Sequence, residues 1–484
     1  MRTITRRKFL RTLGTGALAA AAAPLTSFAN LLKRPRFNIV FIMADDHALH
    51  GLSCYGSSIL STPNIDRLAR QGMRFTQAMG VNSLCAPARA CLLTGKHSHI
   101  NGKRTNGDAF NGNQQTFPKR LQAAGYETAI VGKWHLKVEP TGFDFYKVMR
   151  GQGSYFDSEF RETGKGWHRE KGYLTNVITD SSINWLKQRN SDKPFCLMVH
   201  HKAPHGPDIH EERHKQLFEN ETIPAPDTLH DDWETREPLR TGECAGTKLI
   251  NCSWGQDIYR KLMASAPKEK RPRTEAVYQQ MIKGYMRLVA SLDENVGRLL
   301  DYIDEAGLRD STMVVYTSDN GFFLGDHGMY NKMWMYEESI KLPLLIRYPG
   351  VVKPGTVNDD LVCMLDFAPT FLEIAGAKIP EDLQGRSIMS LLQGRTPAEW
   401  REGVYYHFYT GYGIPEHYGV RTKTHKLLHF PTFRDGSYWE LFDLTEDADE
   451  LTNVYTKPEY QDVSKTLHAL LTAYEKKLKV PGKS

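Results

Sequence analysis

The sequence has few cysteines, no internal repeat and almost no surplus of charge outside its first residues. Seven cysteines in 484 residues are too few, and odd in number, for a secreted fold held together by disulfides. The formal charge of +6 falls to +1 without the basic residues of segment 1–29, because 57 basic and 56 acidic residues then remain. No broad basic surface is expected, and nucleic acid is therefore not an expected partner. The five residues removed are Arg2, Arg6, Arg7, Lys8 and Arg11.

Residues 1–29 join this basic start to a short, alanine-rich apolar run. The pair Arg6-Arg7 before the run, and the small residues around Ala29 after it, are typical of a Tat export signal. A single membrane anchor is the alternative, but the run is short for spanning a bilayer, and no later stretch approaches a transmembrane helix. The sequence predicts a bacterial protein exported by the Tat translocase to the periplasm or the extracellular space. No stable membrane span is expected.

The length predicts one large domain with a smaller appendage, since 484 residues exceed the usual size of a single core. Four continuous apolar runs are typical of strands buried in a parallel sheet, and segments with helical signals lie between them. We expect an α/β fold with a large mixed, mostly parallel sheet flanked by helices over residues 30–395, with an insertion at about 206–273. The four runs are residues 39–44, 126–131, 195–199 and 312–316.

A smaller subdomain is predicted at residues 396–484. Four short runs separated by turns are typical of antiparallel strands, and residues 460–478 have the pattern of a helix. We therefore expect a C-terminal antiparallel sheet with a packed helix. The four runs are residues 404–409, 418–422, 426–430 and 439–444.

Charged or imidazole side chains follow each of the four buried strands of the large domain. In open α/β sheets, ligands bind beyond the carboxyl ends of the strands. The sequence thus predicts that these side chains surround one crevice. They are Asp45 and Asp46 after the first strand, Lys133 and His135 after the second, His205 after the third, and Asp319 and Asn320 after the fourth.

Four of these residues offer only oxygen atoms as metal ligands. A hard divalent cation prefers such ligands, and an irregular mixture of carboxylates and an amide favours calcium over magnesium. One Asp-Asp pair alone is more often a solvated turn. Two such pairs of oxygen-bearing residues, at the ends of two strands, are stronger evidence for a metal site. The predicted calcium ligands are Asp45, Asp46, Asp319 and Asn320.

The stretch SLCAPARACLLTGKHSH at 83–99 begins with a C-x-P-x-R spacing. Pro87 suits the first turn of a helix, which places Cys85 at the helix N-terminus, and Arg89 follows one turn later on the same face. Backbone N–H groups and the helix dipole favour an anion at that position. The motif alone leaves open a buried structural cysteine or a reactive thiolate.

CAPAR followed by LLTG resembles the signature of the type I sulfatases of the alkaline phosphatase superfamily. The resemblance implies that a separate formylglycine-generating maturation enzyme oxidises Cys85 to formylglycine, whose hydrated aldehyde is the nucleophile. It also implies that the four oxygen ligands bind calcium together with the formylglycine oxygen at position 85.

The same resemblance implies roles for the charged residues. Arg89, Lys133 and Lys332 would bind the negatively charged sulfate group. His205, with Lys332, would protonate the departing alcohol. His135 would deprotonate the second hydroxyl of the hydrated aldehyde, which expels sulfate and restores the aldehyde.

Three further segments resemble bacterial N-acetylglucosamine-6-sulfatases or mucin-desulfating sulfatases. They are GKHSHINGKRTNGDAFNG, HHKAPHGP and HYGVRTKTHKLLHF. This subgroup implies a sulfated saccharide as substrate, with 6-O-sulfated N-acetylglucosamine of glycosaminoglycan or mucin as the best candidate. His417 and Arg421 are the candidate sugar contacts. Asp208-Ile209 departs from the pattern, because a basic or aromatic residue is expected there.

The same sequence features leave three other functions open. A phosphodiesterase or phosphonate monoester hydrolase of the same superfamily would share the nucleophile and bind a similar tetrahedral anion. A sulfatase for another sulfated polysaccharide would differ only in its sugar contacts. A glycan-binding protein without catalysis is less consistent with the sequence, because Cys85, Arg89, Lys133 and His205 are all present.

Overall fold

The structure, a computed structural model, describes residues 36–482 apart from 242–246, 253–256 and 434–435, so the predicted export segment 1–29 lies outside the described residues. The strands are Asn38–Asp45 (β1), Met73–Phe75 (β2), Ala78–Met79 (β3), Glu127–Gly132 (β4), Phe145–Met149 (β5), Glu159–Glu162 (β6), Gly166–Arg169 (β7), Phe195–Pro204 (β8), Thr312–Ser318 (β9), Phe323–Leu324 (β10), Tyr330–Asn331 (β11), Leu344–Arg347 (β12), Thr356–Asn358 (β13), Val362–Cys363 (β14), Gly403–Phe408 (β15), His417–Thr422 (β16), His425–Phe430 (β17) and Tyr438–Asp443 (β18). The helices are Pro63–Gln71 (α1), Cys85–Thr94 (α2), Ser98–Asn101 (α3), Phe117–Ala123 (α4), Leu174–Gln188 (α5), Glu237–Arg240 (α6), Asp257–Ser265 (α7), Lys270–Glu305 (α8), Glu337–Ile340 (α9), Phe367–Ile374 (α10), Met389–Leu392 (α11) and Gln461–Leu478 (α12).

A mixed sheet of ten strands has the order β13-β2-β12-β9-β1-β8-β4-β5-β6-β7. β1 lies in its middle, parallel to β8 on one side and to β9 on the other, and β4 and β5 continue the parallel part. Every residue of β1 is buried, which explains why the strand is a continuous apolar run and not an alternating one. Its successive side chains enter two cores on opposite faces, with Ile39, Phe41 and Met43 in one and Val40, Ile42 and Ala44 in the other.

Helices cover both cores. The long helix α8 contributes Leu288, Leu292 and Val296 to one core at four-residue steps, which place the three side chains on one face of the helix. On the other face, α2 and α10 contribute Leu92 and Phe371. The sheet is therefore enclosed between two layers of helices.

The C-terminal part contains a separate antiparallel sheet in which β15 to β18 are neighbours in chain order. Leu467 and Leu471 of α12 share a core with Val420 and Leu441 of this sheet. The predicted fold class is thus confirmed: a large mixed, mostly parallel sheet with helices and a small antiparallel sheet with a helix. The domain boundary at residue 395 stays a prediction.

Two segments contain more regular structure than their sequences indicate. Residues 145–169, which follow β4, form β5 to β7 and extend the central sheet to its edge. β7 is the edge strand, and its largely exposed sequence Gly-Trp-His-Arg has no apolar alternation that would reveal it. Within the insertion predicted at 206–273, α8 already begins at Lys270. Its first turn is exposed, so the sequence there has no apolar period that would indicate a helix.

The described helices include none that is long and apolar enough to cross a membrane. All six cysteines in the described part of the chain are free thiols. Cys85, Cys91, Cys196, Cys252 and Cys363 are buried, and Cys54 is partly exposed.

Candidate active site

Four parallel strands end side by side at one edge of the central sheet. β9, β1, β8 and β4 are consecutive neighbours and run in the same direction. The structure therefore brings together the strand-end residues that the sequence placed around one crevice. Asp45 ends β1 and Asp46 follows it, Lys133 follows β4, His205 follows β8, and Asp319 and Asn320 follow β9.

The helix α2 carries Cys85 as its first residue, and all of its residues are buried. Leu84 before it is extended, and Pro87 lies in the first turn, where a missing N–H costs little. Gly95 ends the helix with a φ of 62°, a conformation that favours glycine. Cys85 is only 1% exposed, so the helix N-terminus and its partial positive charge lie inside the molecule.

Arg89 joins α2 to the end of β9. Its Nε and Nη2 atoms both donate to Oδ2 of Asp319, at 3.1 and 2.8 Å, and Nη1 donates to the Lys133 carbonyl oxygen at 2.8 Å. Nη2 also lies 3.8 Å from Oδ1 of Asp45. Because the guanidinium is buried and held on three sides, its position is fixed.

Two lysines pair with the other two carboxylates. Lys133 Nζ donates to Oδ2 of Asp45, and Lys332 Nζ donates to Oδ2 of Asp46. Both lysines are buried, and Nε2 of His205 lies 3.7 Å from the same oxygen of Asp46. Three carboxylates and three cationic side chains are therefore buried against one another.

The donor set fits a hard divalent cation. One ligand atom each from Asp45, Asp46, Cys85 and His205 lies within 4.8 Å of the others. Among the described residues, Oδ1 of Asp45 is buried without a hydrogen-bond partner. Buried oxygens of this kind are costly unless a ligand satisfies them, and they are the ligands that calcium prefers.

The amide of Asn320 faces the same point. Its Nδ2 atom lies 3.3 Å from Oδ1 of Asp46, 3.0 Å from Oδ1 of Asp319 and 3.9 Å from Sγ of Cys85. Amide oxygen and nitrogen differ only by a flip of the side chain, and the flip is set by the neighbouring groups. With a cation present, the flipped amide would direct its oxygen to that cation.

The acidic groups differ in their pKa values. Burial opposes ionisation of Asp45, but the charges of Lys133, Arg89 and Lys332 hold its pKa well below the usual value. For Asp319, burial and the neighbouring Asp45 raise the pKa, although Arg89 opposes this. Burial also raises the pKa of Asp46, against the effect of Lys332. A divalent cation would favour the ionised form of all three carboxylates.

The thiol and the two histidines of the site are neutral in this environment. Burial, followed by the charge of Asp45, raises the pKa of the Cys85 thiol to about 12, so an unmodified cysteine here is not a thiolate at neutral pH. Burial and the cations Lys133 and Arg89 lower the pKa of His135 to about 2. Burial likewise lowers the pKa of His205 well below its usual value.

The two histidines are held in defined orientations. Nδ1 of His205 lies 2.7 Å from the Gly206 carbonyl oxygen and must donate to it, which leaves Nε2 as the atom facing Asp46. His135 has a positive φ of 59°, an unusual conformation for a residue other than glycine. Its Nδ1 atom is buried without a partner in the described part of the chain.

The structure does not bring His417 and Arg421 into the crevice. The ring of His417 packs against Trp334 and Phe430, with centroid distances of 5.4 and 5.3 Å. Arg421 is 2% exposed and donates from Nη2 to Glu337 at 2.7 Å. Both side chains are held inside the protein by these contacts, so the prediction that they contact the sugar is not supported.

Two residues of β8 that lie near the site were not predicted as site residues. His200 lies between Arg89 Nη1 at 3.2 Å and the Lys133 carbonyl oxygen at 3.1 Å. Lys202 is buried and donates from Nζ to the Gly206 carbonyl oxygen at 3.1 Å. Both residues lie on β8, which stays buried through the polar residues His200 to Lys202. A run of polar residues directly after an apolar strand is the sequence feature that could have indicated them.

Tyr285 of α8 also lies beside the site and was not predicted as a site residue. Its hydroxyl donates to the Asp46 carbonyl oxygen at 2.7 Å and accepts from the Ala48 N–H at 2.9 Å. The side chain therefore fixes the backbone on both sides of the Asp46 turn. A helical spacing cannot reveal such a contact, because it does not show what the hydroxyl meets.

Comparison with known proteins matches residues 37–377 to the family described as Sulfatase, and residues 325–477 to the one described as N-sulphoglucosamine sulphohydrolase, C-terminal. The chain is 41% identical to an N-acetylglucosamine-6-O-sulfatase of Bacteroides thetaiotaomicron, over 96% of this chain and 90% of the relative. It is 29% identical to an arylsulfatase of Clostridium perfringens, over 88% of this chain and 91% of the relative.

The chain is also similar to a solved structure of a protein in complex with its substrate D-glucosamine-2-N,6-O-disulfate. The TM-score is 0.87 at 40% identity, covering 93% of this chain and 99% of that one. A phosphonate monoester hydrolase of Agrobacterium radiobacter shares the fold, with a TM-score of 0.73 at 21% identity over 92% of this chain and 96% of that one. The predicted resemblance is confirmed: the chain belongs to the sulfatase family of the alkaline phosphatase superfamily, and it is a sulfuric ester hydrolase.

Proposed function

We propose that this sulfatase removes the 6-O-sulfate from N-acetylglucosamine or N-sulfated glucosamine of glycosaminoglycan or mucin chains. We further propose that it acts through formylglycine at position 85 and a calcium ion. The cluster of three carboxylates and three cations at the N-terminus of α2 carries the chemical part of this proposal. The identity of the sugar is supported by the relative that is 41% identical over nearly the whole chain.

The proposed groups and the residues have separate tasks. Formylglycine at position 85 would supply the oxygen nucleophile, and a calcium ion on the four predicted oxygen ligands would supply Lewis-acid stabilisation. Arg89 and Lys133 are already fixed by carboxylates and backbone, so they can bind the sulfate charge without reorganising.

Proton transfer falls to the two histidines and Lys332. When the bond between sulfur and the ester oxygen breaks, that oxygen must receive a proton to leave as the alcohol. Nε2 of His205 faces the crevice, and a bound sulfate anion favours its protonated form. Lys332, whose pKa Asp46 raises against the effect of burial, can donate a hydrogen bond to the same oxygen. His135 is neutral here, and the negative charge of a bound sulfate would raise its pKa towards the range in which it can accept a proton.

Export by the Tat translocase is part of the proposal. The Arg6-Arg7 pair and the apolar run before Ala29 support it. Folding in the cytoplasm before export also agrees with the six free thiols of the described residues. The proposed location is the periplasm or the extracellular space.

The substrate proposal predicts a clear preference among sugars. N-acetylglucosamine 6-sulfate should exceed galactose 6-sulfate and 2-O-sulfated uronic acid in kcat/KM by more than about tenfold, or ~1.4 kcal/mol in transition-state binding. Desulfation rates measured on the three saccharides test this. Preference for either of the latter two would refute the sugar assignment. Faster hydrolysis of p-nitrophenyl phosphate diesters than of p-nitrophenyl sulfate would instead favour the phosphodiesterase alternative.

The formylglycine proposal predicts a modified peptide. Trypsin should release residues 75–89, which contain Cys85 and end at Arg89. After coexpression with a formylglycine-generating enzyme, mass spectrometry should show the mass of an aldehyde in place of the thiol. An active preparation that carries only unmodified cysteine at position 85 would contradict this.

A further inference from the structure

The segment Lys103 to Asp108 forms a rigid loop beside α2, which we call the lysine loop. Lys103 is fully buried, and its Nζ atom donates to the carbonyl oxygens of Asn106, at 3.2 Å, and of Asp108. The Asp108 carboxylate accepts from the Arg104 N–H at 2.9 Å and from the Thr105 N–H at 2.7 Å. Burying a lysine to hold backbone carbonyls is costly, so the loop has a fixed shape at a price in stability.

Asn106 is the residue of the lysine loop that reaches the active site. Its Oδ1 atom accepts from the N–H of Ala86, the residue after Cys85, at 3.1 Å. Its Nδ2 atom donates to the hydroxyl of Tyr412 at 3.0 Å. Two hydrogen bonds thus connect the start of the nucleophile helix to Tyr412.

The loop that also carries His135 touches the lysine loop. Lys137 donates from Nζ to the Gly107 carbonyl oxygen at 3.2 Å. Like His135, Lys137 has a φ of 59°. The lysine loop is therefore joined both to α2 and to the segment that follows β4.

Tyr412 lies in the connection between β15 and β16, residues 409–416, which we call the tyrosine loop. The side chain is 57% exposed, a large value for an aromatic residue held by a specific hydrogen bond. Thr410 and Tyr412 have φ values of 96° and 57°, although neither is glycine. Such conformations are unfavourable, and they cluster at ligand-binding sites when surrounding contacts enforce them.

A second contact joins the two loops. The Arg104 guanidinium lies over the ring of Tyr409, 5.6 Å from its centroid. Because the loops meet at two places, the exposed face of Tyr412 is fixed relative to α2. This arrangement suits a surface that orients a ligand, and a freely moving loop tip would not need it.

We propose that Tyr412 is the platform on which the sugar ring of the substrate stacks, and that Asn106 positions it relative to Cys85. The assignment rests on the proposed function, because it requires a sugar sulfate as substrate. A sugar ring has apolar C–H faces that pack on aromatic rings, and tyrosine combines such a face with a polar tip. In a 6-O-sulfated sugar, a methylene group separates the sulfate from the ring. The sulfate could therefore lie at the N-terminus of α2 while the ring packs on Tyr412, which Asn106 connects to that N-terminus through two hydrogen bonds.

The test compares one sugar substrate with one substrate that lacks a sugar. Tyr412→Ala should raise KM for N-acetylglucosamine 6-sulfate about tenfold with kcat unchanged within about twofold. Its kcat/KM for p-nitrophenyl sulfate should stay within about twofold of the wild type. Trp167→Ala is the matched control, since Trp167 is an exposed aromatic residue of β7. This variant should leave KM and kcat unchanged for both substrates.

A second set of variants tests the role of Asn106. Asn106→Ala and Tyr412→Phe both remove the hydrogen bond between these residues and keep the Tyr412 ring, so each should raise KM for the sugar about threefold. Asn106→Ala also leaves the Ala86 N–H without its acceptor, so it should be the worse of the two. The double variant should be no worse than the worse single one, because Asn106 acts through the Tyr412 hydroxyl. Independent, multiplying effects would overturn the positioning role.

The outcomes separate this assignment from the proposed function. If Tyr412→Ala lowers kcat/KM equally for both substrates, or does not lower it for the sugar, Tyr412 is not the platform. The proposed sugar substrate would be unaffected by that result. A wild-type enzyme that hydrolyses p-nitrophenyl sulfate but not N-acetylglucosamine 6-sulfate would instead overturn the proposed sugar and, with it, the platform.

Discussion

Cys85→Ala should lower kcat/KM for the sulfate ester by at least about 10⁴-fold, because loss of a nucleophile removes the chemical step and leaves only binding and electrostatic stabilisation. Cys85 begins α2, and its surroundings are the carboxylates and cations of the strand ends. Alanine has good helix propensity and fits the space of a cysteine side chain. The variant should therefore fold, and a thermal melt should show a Tm close to that of the wild type.

Cys91→Ala is the matched control. Cys91 is a buried cysteine of the same helix, but it contacts Ser98 Oγ at 3.5 Å and lies in an apolar core away from the strand ends. Its removal should leave kcat/KM within about threefold of the wild type. Similar losses in both variants would point to disturbed packing of α2. Retention of more than about 1% activity in Cys85→Ala would exclude position 85 as the nucleophile.

The positions of the strand-end residues and of Cys85 could be predicted from the sequence, because short stretches of sequence indicate them. A strand buried on both faces must be apolar throughout, so β1, β4, β8 and β9 are visible as short runs that end in charged residues. Parallel neighbours end at the same edge, and one topological rule therefore brings Asp46 and Asp319 together across more than 270 residues. Pro87 similarly marks the start of α2.

Contacts between elements that are distant in the sequence could not be predicted from it. β16 is buried on both faces, so the sequence could not show that His417 and Arg421 point into protein and not into the crevice. Arg421 meets Glu337 across 84 residues, and Asn106 meets Tyr412 across 306. Each pair forms because separate elements pack side by side, and neither partner carries a local pattern that identifies the other. Exposed edge strands such as β7 are missed for a related reason, since they need no apolar period.

Asp319→Asn should abolish calcium binding and lower activity by at least about 10³-fold. Asparagine keeps the shape of the side chain, but the negative charge that holds the Arg89 guanidinium is lost. A buried cation without its partner is unfavourable, and the predicted calcium site loses one of its three carboxylates. Measured calcium content and kcat/KM on a sugar sulfate test both effects.

The linkage between calcium and folding gives a readout that does not depend on activity. Calcium at 100 times its Kd should stabilise the wild type by about 2.7 kcal/mol, which appears as a higher Tm than in chelator. Asp319→Asn should show no such difference. Asp293→Asn is the matched control: Asp293 is also buried, but it accepts from the Ile65 N–H at 2.8 Å near the start of α1. That variant should lose stability while keeping both the calcium-dependent shift in Tm and the activity. A calcium shift that survives in Asp319→Asn, or activity that persists without bound metal, would exclude Asp319 from the ligand set.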